Sequence, residues 1–214
     1  MKNGQKTLIM ILDILVVLSV FYAIFGMVFS KNDAVLVTSG LGAFKYYTVL
    51  SNLLCALTSL ICVVRLLITK AESLPKGLYI LHLAGSSVVS VTLIVVLVYL
   101  GPSLGYGPMF SGVCFWLHLF APVLAIISQI LIKHEKSLKA VNTLWAVVPT
   151  IIYGIGYIAV NAANWTGKSN PRTDIYGFLK WGWGVGALLL VAVCLLNWLM
   201  ALLFWRLGRN NTDN

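Results

Sequence analysis

The sequence predicts an all-α integral membrane protein, a single domain over residues 1–214 that forms a bundle of six transmembrane helices. Of its 214 residues, 60% are hydrophobic and only 10% are charged, whereas soluble domains carry roughly 25% charged residues. The alternating ten-residue strands of a membrane β-barrel are absent. Six apolar stretches lie at about 7–29, 46–69, 78–100, 110–132, 141–161 and 181–205. Each can cross a hydrocarbon core of roughly 30 Å as a helix that rises about 1.5 Å per residue.

The first stretch is predicted to be a membrane helix and not a signal peptide. It follows Lys2 and Lys6, as the apolar core of a signal peptide would. However, it is longer than such a core, it contains Asp13, and no small-residue cleavage site precedes Lys31.

The distribution of Lys and Arg predicts the orientation of the bundle. With both termini in the cytoplasm, ten of the 15 basic residues lie on the cytoplasmic side, the side that membrane proteins enrich in Lys and Arg. These ten are Lys2, Lys6, Arg65, Lys70, Lys76, Lys133, Lys136, Lys139, Arg206 and Arg209, against Lys31, Lys45, Lys168, Arg172 and Lys180. We therefore expect cytoplasmic termini, and a multi-pass protein of the plasma (inner) membrane if the source is bacterial.

The net charge of +9 is spread over the helix ends. This pattern predicts contact with anionic lipid head groups at the inner rim and no binding of nucleic acid. No cofactor, metal or disulfide is predicted, because the four cysteines fall inside the apolar stretches. The three histidines, His82, His118 and His134, have no ligand-like spacing.

Small and polar residues form stripes along four of the apolar stretches. Residues three or four apart share a helix face, and such stripes begin at Thr48, Tyr79, Ser111 and Tyr153 in the second to fifth stretches. In lipid, small and polar residues favour helix–helix contacts. We therefore expect the four faces to converge in the bundle interior, where packing is their ordinary role.

Asp13 is the carboxylate in the first stretch, about 9 Å from its inner end at helical rise. An unpaired charge there costs about 2.5–3.5 kcal/mol on insertion scales. Arg65 lies at a similar depth in the second stretch, so the two are predicted to pair. A proton or ion relay is the functional alternative.

Thr48 and His118 are the predicted catalytic pair. Both fall in the outer half of the membrane under the predicted topology, and a neutral imidazole is the usual base that activates a hydroxyl. Asn52, one turn from Thr48, is predicted to bind substrate by donating to a developing oxyanion. The group that orients the imidazole is left open between Tyr157, Asn161 and a backbone carbonyl, and both side chains are also candidates for substrate binding.

Two motifs resemble those of the androgen-induced protein 1-like family of six-helix membrane proteins. The first is Phe44-Lys45-Tyr46-Tyr47-Thr48-Val49-Leu50-Ser51-Asn52, which is most similar to bacterial members, where an aromatic residue and Thr precede Ser-Asn. The second is His118-Leu119-Phe120-Ala121-Pro122. The resemblance implies a hydrolase of fatty-acid esters of hydroxy fatty acids, or similar lipid esters, with Thr48 as nucleophile and His118 as base. Ser51, beside Asn52, is included among the predicted substrate-binding residues.

Two other classes of function remain open from the sequence. A small transporter often shows inverted repeats, but residues 7–100 and 110–205 have no convincing self-similarity. A non-enzymatic lipid-binding protein would use the same stripes for packing and would not require the Thr48–His118 pair.

Overall fold

The structure is a computed structural model that describes residues 3–29, 40–69, 73–134 and 138–210, without the side chains of the last two. Six helices are long and apolar enough to span a membrane, and the described residues form no strand. The helices are α1 Asn3–Phe29, α2 Tyr47–Ile68, α3 Lys76–Leu104, α4 Gly112–Leu131, α5 Ala140–Ala163 and α6 Trp183–Asn210. The helical, six-span part of the predicted fold class is confirmed. Lys2, Lys31, Lys70 and Lys136 of the charge count lie outside the described residues.

The predicted boundaries differ most at the end of α6, which runs to Asn210 instead of residue 205, and by four residues at the end of α3 and at the start of α1, which begins at Asn3 instead of residue 7. Polar residues in the first turn of α1 donate hydrogen bonds to the ends of neighbouring helices. Gln5 Nε2 donates to the Leu131 carbonyl at 2.7 Å, and Lys6 Nζ donates to the Thr69 carbonyl at 2.8 Å. These carbonyls lie at or just beyond a helix C-terminus and lack intrahelical donors, so the extra turn is stabilised by contacts that hydropathy does not register.

Three spans contain a segment with altered helical hydrogen bonding. α3 and α4 have π-helical turns at Val96–Leu100 and Trp116–Phe120, and α5 begins with a 3₁₀ segment at Ala140–Val147. Each is followed within two residues by a proline. Proline lacks an N–H group and clashes with the carbonyl four residues back, which explains why the preceding turn departs from α geometry.

The helices alternate in direction, so six of their ends lie together. The Thr48 end of the bundle comprises the N-termini of α2, α4 and α6 and the C-termini of α1, α3 and α5. It also carries the 3₁₀ helix Gly40–Lys45, a short helix at Tyr106–Met109, and the loop 164–182. We call the other end the Arg65 end.

A polar layer separates two apolar clusters in the bundle interior. The cluster toward the Thr48 end includes Val16, Ala56, Val88 and Ala125, and the other includes Ile9, Cys62, Leu83 and Ile132. Between them, four helices contribute the fully buried polar residues Asp13, Ser59, His82, Ser86, Ser128 and Gln129. The predicted convergence of the polar faces is confirmed for α2, α3 and α4, and α1 joins them through Asp13.

The predicted Asp13–Arg65 ion pair is wrong. Asp13 Oδ1 lies 3.2 Å from His82 Nε2, and on α2 it faces Ser59 and Cys62. Arg65 is exposed near the end of α2. A long arginine side chain reaches the interface from that depth, so it avoids the desolvation that pairing in the core would require.

Gly85 lets α2 and α3 approach closely. A Cβ atom at this position would meet the Thr58 side chain and lie 3.0 Å from the backbone Cα of Cys55. Gly85→Ala is expected to lower the free energy of unfolding in detergent by about 1–2 kcal/mol, because the two backbones must separate. The matched control is Gly77→Ala on the same helix, where a Cβ meets nothing within 4 Å. A loss of similar size in both variants would show that close approach is not the cause.

Candidate active site

An apolar cavity opens at the Thr48 end, between α2, α3, α5, α6 and the loop 164–182. Its cavity volume is about 80 Å³, smaller than the roughly 300–1,000 Å³ typical of ligand sites. Its walls are mostly aliphatic and aromatic, with Val91, Val95, Leu190 and Phe178 among the lining residues. The lining suits the apolar part of a ligand, and a ligand the size of a lipid would require the cavity to widen.

The loop 164–182 forms the end wall of this cavity. Asp174, which is 3% exposed, accepts hydrogen bonds from the Tyr157 hydroxyl, from Ser169 Oγ at 2.5 Å and from the Leu179 N–H at 3.0 Å. A buried carboxylate requires such donors. The bonds fold the loop against α5 and place Tyr176 over the start of α2.

Tyr176 caps α2. Its hydroxyl accepts a hydrogen bond from the Tyr47 N–H at 2.7 Å, one of the N–H groups that a helix N-terminus leaves without an intrahelical partner. The preceding residue, Tyr46, provides no side-chain cap. Burial raises the pKa of Tyr176 well above its usual value, so the hydroxyl stays neutral against the helix start.

Thr48 supplies the free hydroxyl of the cavity. Seven lining residues carry hydroxyl groups. Six of these are hydrogen-bonded: Tyr47, Thr92, Thr150, Tyr153, Tyr157 and Tyr176. Among the described residues, none bonds to Thr48 Oγ1. As the second residue of α2, Thr48 also lies at the positive end of the helix dipole.

His118 lies in the π-helical turn of α4 and is 7% exposed. Its Nδ1 is 2.8 Å from the carbonyl of Met109 in the short helix before α4. A carbonyl only accepts, so Nδ1 carries the proton, and in the neutral ring Nε2 is left as the basic nitrogen. The Met109 carbonyl is therefore the group that orients the imidazole, one of the three alternatives left open by the sequence.

Asn52 ties α2 to α4 beside this histidine. Its amide nitrogen donates to the Thr48 carbonyl at 2.8 Å and to the Leu117 carbonyl at 3.0 Å. The Leu117 carbonyl lacks a helical donor for two reasons: the Ala121 N–H bonds to Trp116, and Pro122 has no N–H. The His118-to-Pro122 motif thus frees a carbonyl that the Thr48-to-Asn52 motif satisfies.

The structure brings the helices of the predicted pair together but does not bond the two side chains. In the described part of the chain, no hydrogen bond joins Thr48 to His118, and α4 contributes nothing to the cavity lining. Their predicted roles stay predictions. The observed link between them runs through Asn52, one turn from Thr48 and bonded to the residue before His118.

The predicted substrate-binding residues are placed differently from one another. Tyr157 lines the cavity, whereas Ser51, Asn52 and Asn161 are not part of its lining. Ser51 bonds to Thr92 Oγ1 at 3.0 Å, and Asn161 donates to the carbonyls of Tyr157 and Thr173. Both amide hydrogens of Asn52 are used in helix contacts, so it has no N–H free for an oxyanion. Substrate contact by these residues stays a prediction.

Sequence reasoning missed Met109, Asp174 and Tyr176. All three lie outside the apolar stretches, where helix periodicity gives no information. The aromatic run Tyr176 to Trp183 in a short polar loop is the signal that indicates a segment folded back on the bundle.

No protein-family model, curated protein or solved structure matches this chain. The fold and the site define a helical protein with six candidate membrane spans and an apolar cavity lined by Thr48, whose hydroxyl bonds to none of the described residues. The likeness to the androgen-induced protein 1-like family remains a resemblance carried by two motifs.

Proposed function

We propose that this protein is an intramembrane hydrolase of lipid esters, such as fatty-acid esters of hydroxy fatty acids, with Thr48 as nucleophile and His118 as base. The observation that carries the proposal is that Thr48 lines an apolar cavity and that its hydroxyl is the one lining hydroxyl without a partner among the described residues. A nucleophile must be free to attack, and the hydrogen bonds of the other six hydroxyls hold them in the cavity wall.

The geometry around His118 supports its role as base. The Met109 carbonyl fixes the proton on Nδ1, which leaves Nε2 to accept the threonine proton. Catalytic hydrogen bonds are often long without substrate and tighten in the substrate complex. Asn52 already holds α2 against α4. This contact limits the distance that Thr48 and His118 must move to form a hydrogen bond.

The proposed reaction has two halves. Thr48 Oγ1 attacks the ester carbonyl while His118 Nε2 takes its proton, and the same proton then passes to the leaving alcohol. Water, deprotonated by His118, attacks the acyl-threonine, and the proton returns to Thr48 as the acid leaves. The positive end of the α2 dipole lies where the oxyanion develops.

Labelling with a fluorophosphonate carrying a long alkyl chain tests the nucleophile. We expect the wild-type protein in detergent to be labelled and Thr48→Ala to be unlabelled. His118→Gln should slow labelling about 10²–10⁴-fold, the usual effect of a general base. Thr92→Ala is the matched control, because Thr92 lines the same cavity with a hydroxyl that is already bonded to Ser51. Labelling that survives in both Thr48→Ala and His118→Ala would rule out the covalent scheme.

A non-enzymatic lipid-binding protein is the second candidate. The observation that favours it is the missing hydrogen bond between Thr48 and His118 among the described residues. It predicts that wild-type protein retains lipid through purification, that the fluorophosphonate does not react, and that His118→Gln leaves lipid occupancy unchanged. Mass spectrometry of extracted lipid, run beside the labelling assay, separates the two functions.

The proposed orientation places both termini in the cytoplasm and the cavity in the outer half of the membrane. Ten of the 15 basic residues then lie on the inner side, where they favour anionic head groups. The cavity mouth would receive lipid from the outer leaflet, in the plasma membrane if the protein is bacterial.

A further inference from the structure

The polar layer brings three groups that can bind a metal to one place. Asp13 of α1, Cys62 of α2 and His82 of α3 are buried, and one ligand atom from each lies within 4.8 Å of the others. Among the described residues, no hydrogen-bond partner contacts Asp13 Oδ2, which is a buried carboxylate oxygen. An unpartnered anionic oxygen in a low-dielectric interior is costly, and an ion held between this oxygen, Cys62 and His82 would lower that cost.

Surrounding residues orient these groups as the outer shell of a metal site does. His82 Nδ1 is 2.7 Å from Gln129 Oε1, and a metal-binding histidine typically donates its second ring N–H to such an oxygen. Ser128 and Ser59 donate to Asp13 Oδ1 at 2.7 and 3.3 Å. These bonds leave Oδ2 free for an ion.

The balance of charge favours exchange of protons for a divalent ion. Each ring nitrogen of His82 faces a side-chain oxygen, Gln129 Oε1 at 2.7 Å and Asp13 Oδ1 at 3.2 Å, so a ring that donates to both is a cation paired with the Asp13 carboxylate. Loading releases the proton on His82 Nε2 and the thiol proton of Cys62. One dication then replaces two protons, and the buried cluster stays neutral.

We propose that Asp13, Cys62 and His82 bind one divalent transition-metal ion, zinc by preference, as a structural site that links α1, α2 and α3. Thiolate, imidazole and carboxylate together suit zinc. Tetrahedral ligands are roughly 3.5 Å apart, so the three groups would move together by about 1 Å. All three ligands are buried away from the cavity, which assigns this site to structure, and a bound water molecule would complete the four-coordinate geometry of structural zinc.

Metal content and cobalt absorption test the proposal. Because the ligands are buried, the protein is expressed in medium supplemented with zinc or with cobalt, so that metal loads as the chain folds. We expect about one metal per purified chain by mass spectrometry. The cobalt form should show intense tetrahedral d–d bands and a thiolate-to-cobalt charge-transfer band.

Cysteine variants identify the ligand. Cys62→Ser should lose the charge-transfer band, while Cys55→Ser, buried on the same face of α2, should keep it. If Cys62→Ser does not fold, the triple variant with Cys55, Cys114 and Cys194 changed to Ser gives the answer, because its band must persist with Cys62 alone. Wild-type protein without metal after both supplements, or a cobalt spectrum without the thiolate band, would overturn the proposal.

Discussion

His82→Leu is expected to lower the free energy of unfolding by about 3–5 kcal/mol, because it leaves the Asp13 carboxylate buried without its cationic partner. Asp13 and His82 are both completely buried and lie 3.2 Å apart. Leucine fills a volume similar to that of histidine, so the loss arises from charge and not from a cavity. Unfolding is measured in detergent with a chelator present, so that no metal contributes. Ser87→Ala on α3, whose buried hydroxyl donates to the Ala84 carbonyl of the same helix, should change stability by less than about 0.5 kcal/mol.

The double variant Asp13→Asn/His82→Leu separates charge from packing. The asparagine oxygen still accepts from Ser59 and Ser128, but no charge remains in the core. We expect the double variant to recover most of the loss, with a coupling energy of about 2–3 kcal/mol between the two positions. Losses that simply add would mean that the pair does not interact in the folded protein, contrary to the observed contact.

The six spans could be predicted from the sequence because hydropathy and length determine them almost alone. The failure at Asp13 shows where this reasoning ends. Helix rise placed Arg65 at a suitable depth, but pairing also depends on which face of each helix turns inward. His82 lies on the inward face of α3, whereas Arg65 can reach the interface. The rotation of one helix relative to another depends on the packing between them, and this packing cannot be predicted from the sequence of one helix alone.

The candidate site was predictable only in part for a similar reason. Thr48 and His118 are visible as reactive residues in apolar stretches, and the structure places the helices that carry them side by side. The Met109 carbonyl is a backbone group, so the type of residue at this position does not indicate its role. The role of Asn52 becomes clear only when the π-helical turn before Pro122 is known, because that turn creates the acceptor.

Asn52→Leu is expected to destabilise the protein by about 2–3 kcal/mol, since the buried Leu117 carbonyl loses its donor and the Thr48 carbonyl loses one of two side-chain donors. Ser51 Oγ still donates a hydrogen bond to the Thr48 carbonyl, at 3.1 Å. The exposed Asn164, whose amide bonds within its own helix, is the control: Asn164→Leu should change the free energy of unfolding by less than about 0.5 kcal/mol. Equal effects at the two positions would contradict a helix-linking role for Asn52.

Pro122→Ala shows whether the π-helical turn creates the need for Asn52. Alanine restores an N–H at position 122, which can donate within α4 to the Leu117 carbonyl five residues back. In the Pro122→Ala background, Asn52→Leu should therefore cost about 1 kcal/mol less than in the wild-type protein. If the cost is unchanged, the Leu117 carbonyl is not what Asn52 satisfies. A reduced cost would show that the two motifs act together: the proline shapes the turn that holds His118, and Asn52 stabilises that turn from the helix that holds Thr48.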